Sequence, residues 1–176
     1  MELSIGIVFF VFFAFRLLSP VISSRNERKL KNMGAVEYGK KNSTILVAGH
    51  ILYYVACMTE GFTQGAFYAD TVAITGLLIY VFSIIVLYYV IYALRHVWTV
   101  KLIVAPQAYH TINVSLLFRY VRHPNYYLNI IPELIGTGLI FHAWYTLTLG
   151  FALYLVPLII RIVQEERVMK EHFKAY

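Results

Sequence analysis

The chain has 176 residues, of which 60% are apolar and only 14% are charged, and its formal net charge is +6. A soluble domain carries about 25% charged residues, so this composition excludes an ordinary water-soluble enzyme and requires lipid to cover part of the surface. The single cysteine excludes an internal disulfide framework and a multi-cysteine zinc site. The length suits one domain. We therefore expect a single membrane domain over residues 1–176, with an N-terminal part, 1–94, and a C-terminal half, 95–176.

Four apolar segments follow one another along the chain and predict an all-α integral membrane protein. They span residues 3 to about 22, 43 to about 59, 71–94 and about 126–160. A membrane-spanning helix needs about 20 residues, so the last segment is predicted to form a short helical hairpin that turns near residues 141–144. The total is about five transmembrane helices. The first segment is not expected to be a signal peptide, because Glu2 replaces the basic leader region and no small-residue cleavage site follows.

The connections between these segments carry the positive charge and predict the orientation of the chain. Residues 23–42 are mostly helix-compatible, with breaks at Gly34 and Gly39, and residues 95–122 are expected to form loop and short helix around Pro106. The basic residues lie in these two connections and in the tail. Cytoplasmic loops are rich in Lys and Arg, so we expect the N-terminus outside and the C-terminus in the cytoplasm.

All fifteen Lys and Arg then lie on the cytoplasmic side or extend towards it, including Arg16, whose long side chain can reach out of the first segment. This distribution argues against a nucleic-acid partner, which would require a basic surface on a fold of its own. Contact with anionic membrane lipids is a secondary consequence of the same charge.

The sequence Arg-His-Pro-Asn-Tyr at residues 122–126 opens the hairpin and is the first candidate functional element. Pro124 suits the first turn of a helix, where its missing N–H is tolerated. A helix N-terminus flanked by Arg122 and His123 can bind an anionic group. The structural alternative is that Arg122 and His123 only anchor the helix at the membrane interface.

Three polar residues continue this helix on one face: Tyr126, Asn129 and Glu133. We expect this face to point into the protein, because a glutamate facing lipid is costly. The structural alternative for Glu133 is a pairing with a neighbouring side chain. His50, in the middle of the second segment, is a functional candidate for the same reason, and a hydrogen bond to a neighbouring helix is its alternative.

The second candidate element is Arg-Ile-Val-Gln-Glu-Glu at residues 161–166, directly after the hairpin. Arg161 and Glu165 are four residues apart, so they share a helix face and can pair. Glu166 points elsewhere and can pair with Lys170. A solvated charged helix is the structural alternative. Because the hairpin returns both elements to the same side of the membrane, we expect them to form one site there. The histidine spacing predicts no metal site.

Together, the Arg-His-Pro-Asn-Tyr element, the apolar hairpin and the Arg-x-x-x-Glu-Glu element resemble the isoprenylcysteine carboxyl methyltransferase family of integral membrane methyltransferases. The resemblance covers residues from about 95 to 176. Further similarity to bacterial members lies at residues 98–99, 118–120 and 143–146. Residues 26–28 and 34–39 are similar to a bacterial subgroup, some of whose members O-methylate alkylpyrone-type lipids. Leu128 stands where many relatives have glycine.

The resemblance implies S-adenosylmethionine as cofactor, with S-adenosylhomocysteine as product, at the cytoplasmic end of the last two spans. By motif position the cofactor-binding residues would be His123, Pro124, Tyr126, Glu133, Glu165 and Glu166, and the catalytic residues Arg161 and Glu165. The implied location is a bacterial cell membrane, with the active site facing the cytoplasm.

The expected reaction is methyl transfer to a carboxylate or hydroxyl of a lipophilic acceptor, at the boundary that both a soluble cofactor and a lipid can reach. A carboxylate is already a nucleophile, and Arg161 could orient it. A hydroxyl benefits from a base, for which His123 and Glu165 are candidates. The competing hypotheses are an NADPH-dependent membrane reductase of the sterol-reductase type, although such enzymes are usually longer, and a non-enzymatic small membrane protein. The sequence does not distinguish a carboxylate from a hydroxyl acceptor, and it does not indicate an oligomeric state.

Overall fold

The structure is a computed structural model that describes residues 3–65, 68–104 and 120–172. In chain order its elements are α1 (Leu3–Asn32), β1 (Val36–Tyr38), α2 (Lys40–Thr63), α3 (Thr71–Leu94) and β2 (Leu102–Val104). Two composite helices follow. A π-helical segment, Asn125–Ile130, continues into the α-helix Ile131–Ile140, and together they are α4. Another, Thr146–Gly150, continues into Phe151–His172, and together they are α5.

The prediction of an all-α membrane protein is confirmed. Four helices, α1, α2, α3 and α5, are long and apolar enough to cross a membrane. The remaining predicted span is α4, a shorter helix whose π-helical and α-helical parts have six and ten residues. The chain turns between α4 and α5 at residues 141–143, as the hairpin prediction requires, and His142 adopts a positive φ of 50° there.

Two features differ from the sequence-based expectation. Helix α1 does not end near residue 22 but continues to Asn32, and the polar connection contains a strand that the sequence did not predict. Strand β1 pairs antiparallel with β2, with Val36 opposite Val104 and Tyr38 opposite Leu102. The expected breaks at Gly34 and Gly39 are present, with φ of 84° and 59°. Pro106, Arg119 and Lys174 lie outside the described residues.

One end of the helix bundle collects the positive charge. We call it the basic end: α1, α3 and α5 finish there, and α2 and α4 begin there. Apart from Arg16, each Lys and Arg within the described ranges lies at or near this end. Asn26 of α1 ties the end together by donating to the backbone carbonyls of Arg95 and Trp98, at 2.7 and 2.9 Å.

The opposite end is held by two carboxylates. Glu60, near the end of α2, accepts hydrogen bonds from the backbone N–H groups of Tyr145 and Thr146, both at 2.8 Å, and so caps the start of α5. Asp70 caps α3 by accepting from Ala73, and this bond lowers the pKa of the Asp70 carboxyl. His142, in the hairpin turn, lies 3.1 Å from Asp70. Helices α2 and α3 are thereby connected to the hairpin.

Between the two ends, α4 packs closely against α3. A Cβ built at Gly136 would lie 2.7 Å from the Gly76 carbonyl oxygen and 2.8 Å from the Tyr80 nitrogen, so the two backbones are nearly in contact. The buried rings of Phe9, Tyr80 and Phe141 surround this contact, with centroid distances of 5.1 Å for Phe9–Tyr80 and 5.0 Å for Phe9–Phe141. The short helix α4 is therefore enclosed by the longer helices, which is why it can carry polar residues.

Candidate functional site

Arg161 is the centre of the polar cluster at the basic end. It lies on α5, only 3% exposed, although it is charged. Its Nε donates to the Tyr126 hydroxyl at 3.1 Å, Nη1 to the Ser43 hydroxyl at 2.7 Å, and Nη2 to the Val100 carbonyl at 3.0 Å. A buried charge requires such partners. Three parts of the chain thus hold the guanidinium in one position.

The Tyr126 hydroxyl links Arg161 to Glu165. It accepts from Arg161 and donates to Glu165 Oε2 at 2.5 Å. The sequence placed Arg161 and Glu165 on one face, and the two are joined through this hydroxyl rather than by contact with each other. The other oxygen of Glu165 lies 3.4 Å from His123 Nδ1. We call Arg161, Tyr126, Glu165, His123 and Ser43 the outer cluster.

The start of α4 positions His123 and Tyr126. Pro124 occupies the N-terminal turn with φ of −62°, as predicted, and its side chain is fully buried. The His123 carbonyl accepts from the backbone N–H of Tyr126 at 3.0 Å. The helix begins in π geometry, which recurs at functional sites in proteins. Leu128 is partly buried and packs against the hydrophobic core.

The outer cluster lies at the edge of the buried interior. His123 is buried, and its Nδ1 faces Glu165 Oε1 at 3.4 Å without a well-aligned hydrogen bond. The Glu165 side chain is 28% exposed, so this residue is partly open to the surroundings. The site therefore combines a fixed cation, a partly exposed glutamate and a buried imidazole.

Glu166 belongs to the surface. It pairs with Lys170 at 3.0 Å, as predicted, and with Arg122 at 3.4 Å. The Arg122 side chain is 74% exposed. Ion pairs of this kind are worth about 0–1 kcal/mol in water. Of the predicted site residues, Glu166 lies beside the outer cluster without contacting the buried part of it.

Glu133 lies apart from the other predicted site residues. It is fully buried and forms an ion pair with Arg16, with Nε and Oε1 2.5 Å apart. Its Oε1 also lies 3.1 Å from His50 Nε2 and accepts from the Tyr54 hydroxyl at 2.7 Å. The expectation that Arg16 extends to the cytoplasmic side is therefore wrong, because a buried carboxylate holds it inside the bundle. The structure shows the structural alternative for both residues: Glu133 pairs with Arg16, and His50 lies within hydrogen-bonding distance of Glu133 on a neighbouring helix.

Sequence reasoning missed Ser43 and Val100. Ser43 opens the second apolar segment and carries no motif, yet it is 3% exposed and bonds Arg161 across 118 residues of chain. Val100 acts only through its backbone, whose N–H donates to Ser23 on α1 at 2.9 Å. No local pattern could reveal either role, because both depend on which helix ends are neighbours. No group of His, Cys, Asp and Glu suited to a metal occurs in the part of the chain that the structure describes.

Comparisons with known proteins match most of the chain to other sequences. The model of the isoprenylcysteine carboxyl methyltransferase (ICMT) family matches residues 75–171, which include Arg161, Glu165, Tyr126 and His123 but not Ser43. An uncharacterized protein of Haemophilus influenzae is 47% identical over 171 residues, which cover 97% of this chain and 98% of that protein. The uncharacterized protein YpbQ of Bacillus subtilis is 25% identical over 162 residues, which cover 89% and 91%. No solved structure matches the chain.

Proposed function

The chain belongs to the isoprenylcysteine carboxyl methyltransferase family of membrane methyltransferases, and from this premise we propose that it methylates an oxygen of a lipophilic acceptor, using S-adenosylmethionine. The observation that carries the proposal is the buried chain of contacts from Arg161 through Tyr126 and Glu165 to His123. A purely structural role for Arg161 would not require a partly exposed glutamate and a buried imidazole beside the fixed guanidinium.

The side chains of the outer cluster fit the proposed cofactor. When bound, S-adenosylmethionine supplies a methyl group on a positively charged sulfur, and its amino-acid and ribose parts offer hydrogen-bond donors and acceptors. Glu165 is a reachable acceptor for such donors. The buried His123 imidazole, whose Nδ1 lies 3.4 Å from Glu165, supplies a further polar contact. We propose that His123, Tyr126 and Glu165 hold the cofactor, with Pro124 fixing the turn that presents them.

Arg161 acts on the acceptor in this proposal. A guanidinium has five N–H donors, and Arg161 uses three of them on Tyr126, Ser43 and Val100. The remaining donors can orient a carboxylate acceptor, which needs no base. A hydroxyl acceptor would form the new C–O bond as the methyl–sulfur bond breaks and S-adenosylhomocysteine leaves, and it would give its proton to Glu165 or His123, the two candidate bases. Fixed donors of this kind need no reorganisation during the reaction, which is the main source of their effect.

The position of the cluster supports a lipophilic acceptor. The outer cluster lies at one end of apolar helices, a position that a soluble cofactor could reach from water and a lipid from the bilayer. We propose that this basic end faces the cytoplasm of a bacterial cell, because Lys and Arg concentrate on that side of membrane proteins. Methyl transfer depends chiefly on holding both reactants in line, and a site at this boundary can do so.

Cofactor binding tests the proposal directly. The protein, purified in nanodiscs, is titrated by calorimetry with S-adenosylmethionine and, separately, with NADPH. We expect binding of S-adenosylmethionine only. Binding of NADPH alone would indicate the reductase hypothesis instead, and binding of neither compound would refute a methyltransferase.

Substitutions at the outer cluster test the residue roles. Lipids extracted from cells with and without the gene are compared for a mass difference of one methylene, which identifies the acceptor pool. Arg161→Ala and Glu165→Gln should abolish this difference while the protein stays folded. The matched controls on the same helix are the exposed residues Arg167→Ala and Glu171→Gln, which should retain it. Full methylation by both Arg161→Ala and Glu165→Gln would remove these residues from the mechanism.

A further inference from the structure

A second polar cluster lies deeper in the bundle than the outer cluster. We call it the inner cluster; it consists of Arg16, His50, Tyr54, Glu133 and Tyr154. His50 Nε2 lies 3.3 Å from Arg16 Nη2, and His50 Nδ1 lies 3.2 Å from the Tyr154 hydroxyl. Ionisable groups inside a membrane bundle are expensive and tend to mark functional sites.

The inner cluster is the next layer of the same three helices that build the outer cluster. Each helix gives one residue to the outer cluster and one to the inner cluster: Ser43 and His50 on α2, Tyr126 and Glu133 on α4, and Arg161 and Tyr154 on α5. Each pair is seven residues apart, or two helical turns. At about 1.5 Å per residue, this spacing puts the inner cluster about 10 Å farther into the bundle. One elongated molecule could therefore contact both clusters.

The charges of the inner cluster are already balanced. The Arg16 guanidinium contacts the side chains of Glu133, Ser19 and His50. The positive charge of Arg16 thus compensates the negative charge of Glu133, and an additional charged group would have to be buried without a partner. Such burial costs several kcal/mol. A ligand of this layer must consequently be neutral.

Two buried acceptor atoms beside this ion pair have no donor. Glu133 Oε1 has Arg16, His50 and Tyr54 around it, whereas Oε2 has no hydrogen-bond partner in residues 3–65, 68–104 and 120–172. One turn earlier on α4, Asn129 is 1% exposed, and its Oδ1 also lacks a partner there. The Asn129 Nδ2 donates to the Asn125 side-chain oxygen at 3.1 Å.

Unpaired buried acceptors point to a missing donor. A buried polar atom left without a partner costs about 1–3 kcal/mol, and native proteins contain few of them. Asn129 and Glu133 are four residues apart on one helix, so their free oxygens lie along the same face. Asn129 also belongs to the π-helical segment of α4. The location between the two clusters indicates a ligand rather than two independent defects.

We propose that Asn129 and Glu133 form a subsite for a neutral hydrogen-bond donor, an alcohol or phenol hydroxyl carried by the lipophilic acceptor, whose one hydrogen is donated to Asn129 Oδ1 beside the Arg16–Glu133 ion pair. This inference rests on the proposed function, which holds the reacting oxygen of the acceptor at the outer cluster. The acceptor then bears a second, unreacting hydroxyl about 5 Å farther along the helix axis than the methylated oxygen, because Asn129 is three residues beyond Tyr126. A simple fatty carboxylate offers no such donor and is a poorer substrate.

Binding of a matched pair of probes tests the subsite. The full chain in nanodiscs, without cofactor, is titrated with 4-dodecylphenol and with 4-dodecylanisole, its methyl ether, which has no donor. We expect the phenol to bind about tenfold more tightly, the contribution of one buried hydrogen bond. Asn129→Leu should remove this preference. The control Thr137→Val, one turn beyond Glu133 with its hydroxyl already bonded to the Glu133 carbonyl at 2.8 Å, should keep it.

Thermal stability without probe separates a ligand site from a structural role. Asn129→Leu removes the unpaired Oδ1 and also the hydrogen bond from Nδ2 to Asn125, so its melting temperature should fall no further than that of Asn125→Ala, which loses the same bond. A larger fall, or equal binding of the phenol and the anisole by the natural protein, would overturn the subsite; the second result is expected if a buried water satisfies both atoms. Absence of the phenol preference in the natural protein, with intact S-adenosylmethionine binding, refutes the subsite alone, whereas absent S-adenosylmethionine binding refutes the proposed function.

Discussion

Arg16 and Glu133 show that the role of a charged residue in an apolar segment depends on its partner. Each alone, in an apolar segment, predicts either a functional group or a side chain that extends to the membrane surface. Together they form a buried ion pair whose members are separated by 117 residues of sequence. The sequence supplied the two charges and the alternative of a structural pairing, but it could not supply the partner, because pairing depends on which helices are neighbours.

Removing one member of this pair should be more harmful than removing both. Arg16→Met and Glu133→Gln each leave a buried charge without compensation, and we expect a loss of about 3–5 kcal/mol in the free energy of unfolding. The double variant Arg16→Met/Glu133→Gln should lose clearly less than the sum of the two single variants. Unfolding in detergent, followed by circular dichroism, measures these differences.

The exposed pair of Lys170 and Glu166 is the control for this cycle. Lys170→Ala should change the free energy of unfolding by no more than about 1 kcal/mol. Additive losses in the Arg16 and Glu133 variants would mean that the two side chains do not depend on each other.

Among the elements, α4 departs most from what its sequence implies. Its apolar composition resembles a membrane span, yet it is short, starts in π geometry and carries the buried residues of both clusters. The close approach of α3 and α4 makes this possible, because the two helices shield the polar face from lipid. The strand pair β1–β2 was not predicted either, since three-residue strands are too short to show a periodic pattern.

Gly136→Ala tests the contact between α3 and α4. The new methyl group would lie 2.7 Å from a backbone oxygen and 2.8 Å from a backbone nitrogen, neither of which can turn aside. Overpacking of this kind costs about 1–3 kcal/mol or more, so we expect a lower melting temperature and weaker binding at both clusters. The control is Gly49→Ala on α2, where the nearest atom is a Tyr154 ring carbon at 3.4 Å. Equal melting temperatures for the two variants would show that α3 and α4 can move apart without a loss of stability.

For the whole molecule, the testable property is its orientation in the membrane. The positive charges concentrate at the basic end, and we expect that end to face the cytoplasm. In a Cys57→Ala background, Gln64→Cys at the opposite end and Lys170→Cys at the basic end provide single, exposed thiols. A maleimide that does not cross membranes should label residue 64 in intact cells and residue 170 only after the cells are opened. The reverse pattern would contradict the orientation and move the proposed site to the outer surface.

The sequence by itself determined the membrane class, the order of the helices, the hairpin turn and the two motifs that meet at the basic end. These properties follow from composition, segment length and helical spacing, which are local along the chain. The tertiary structure alone decided that Ser43 and Val100 hold Arg161, that Tyr126 joins Arg161 to Glu165, and that Glu133 pairs with Arg16 away from this site. Contacts of this kind depend on distances of about 3 Å between distant residues, and only the packing of the helices determines those distances.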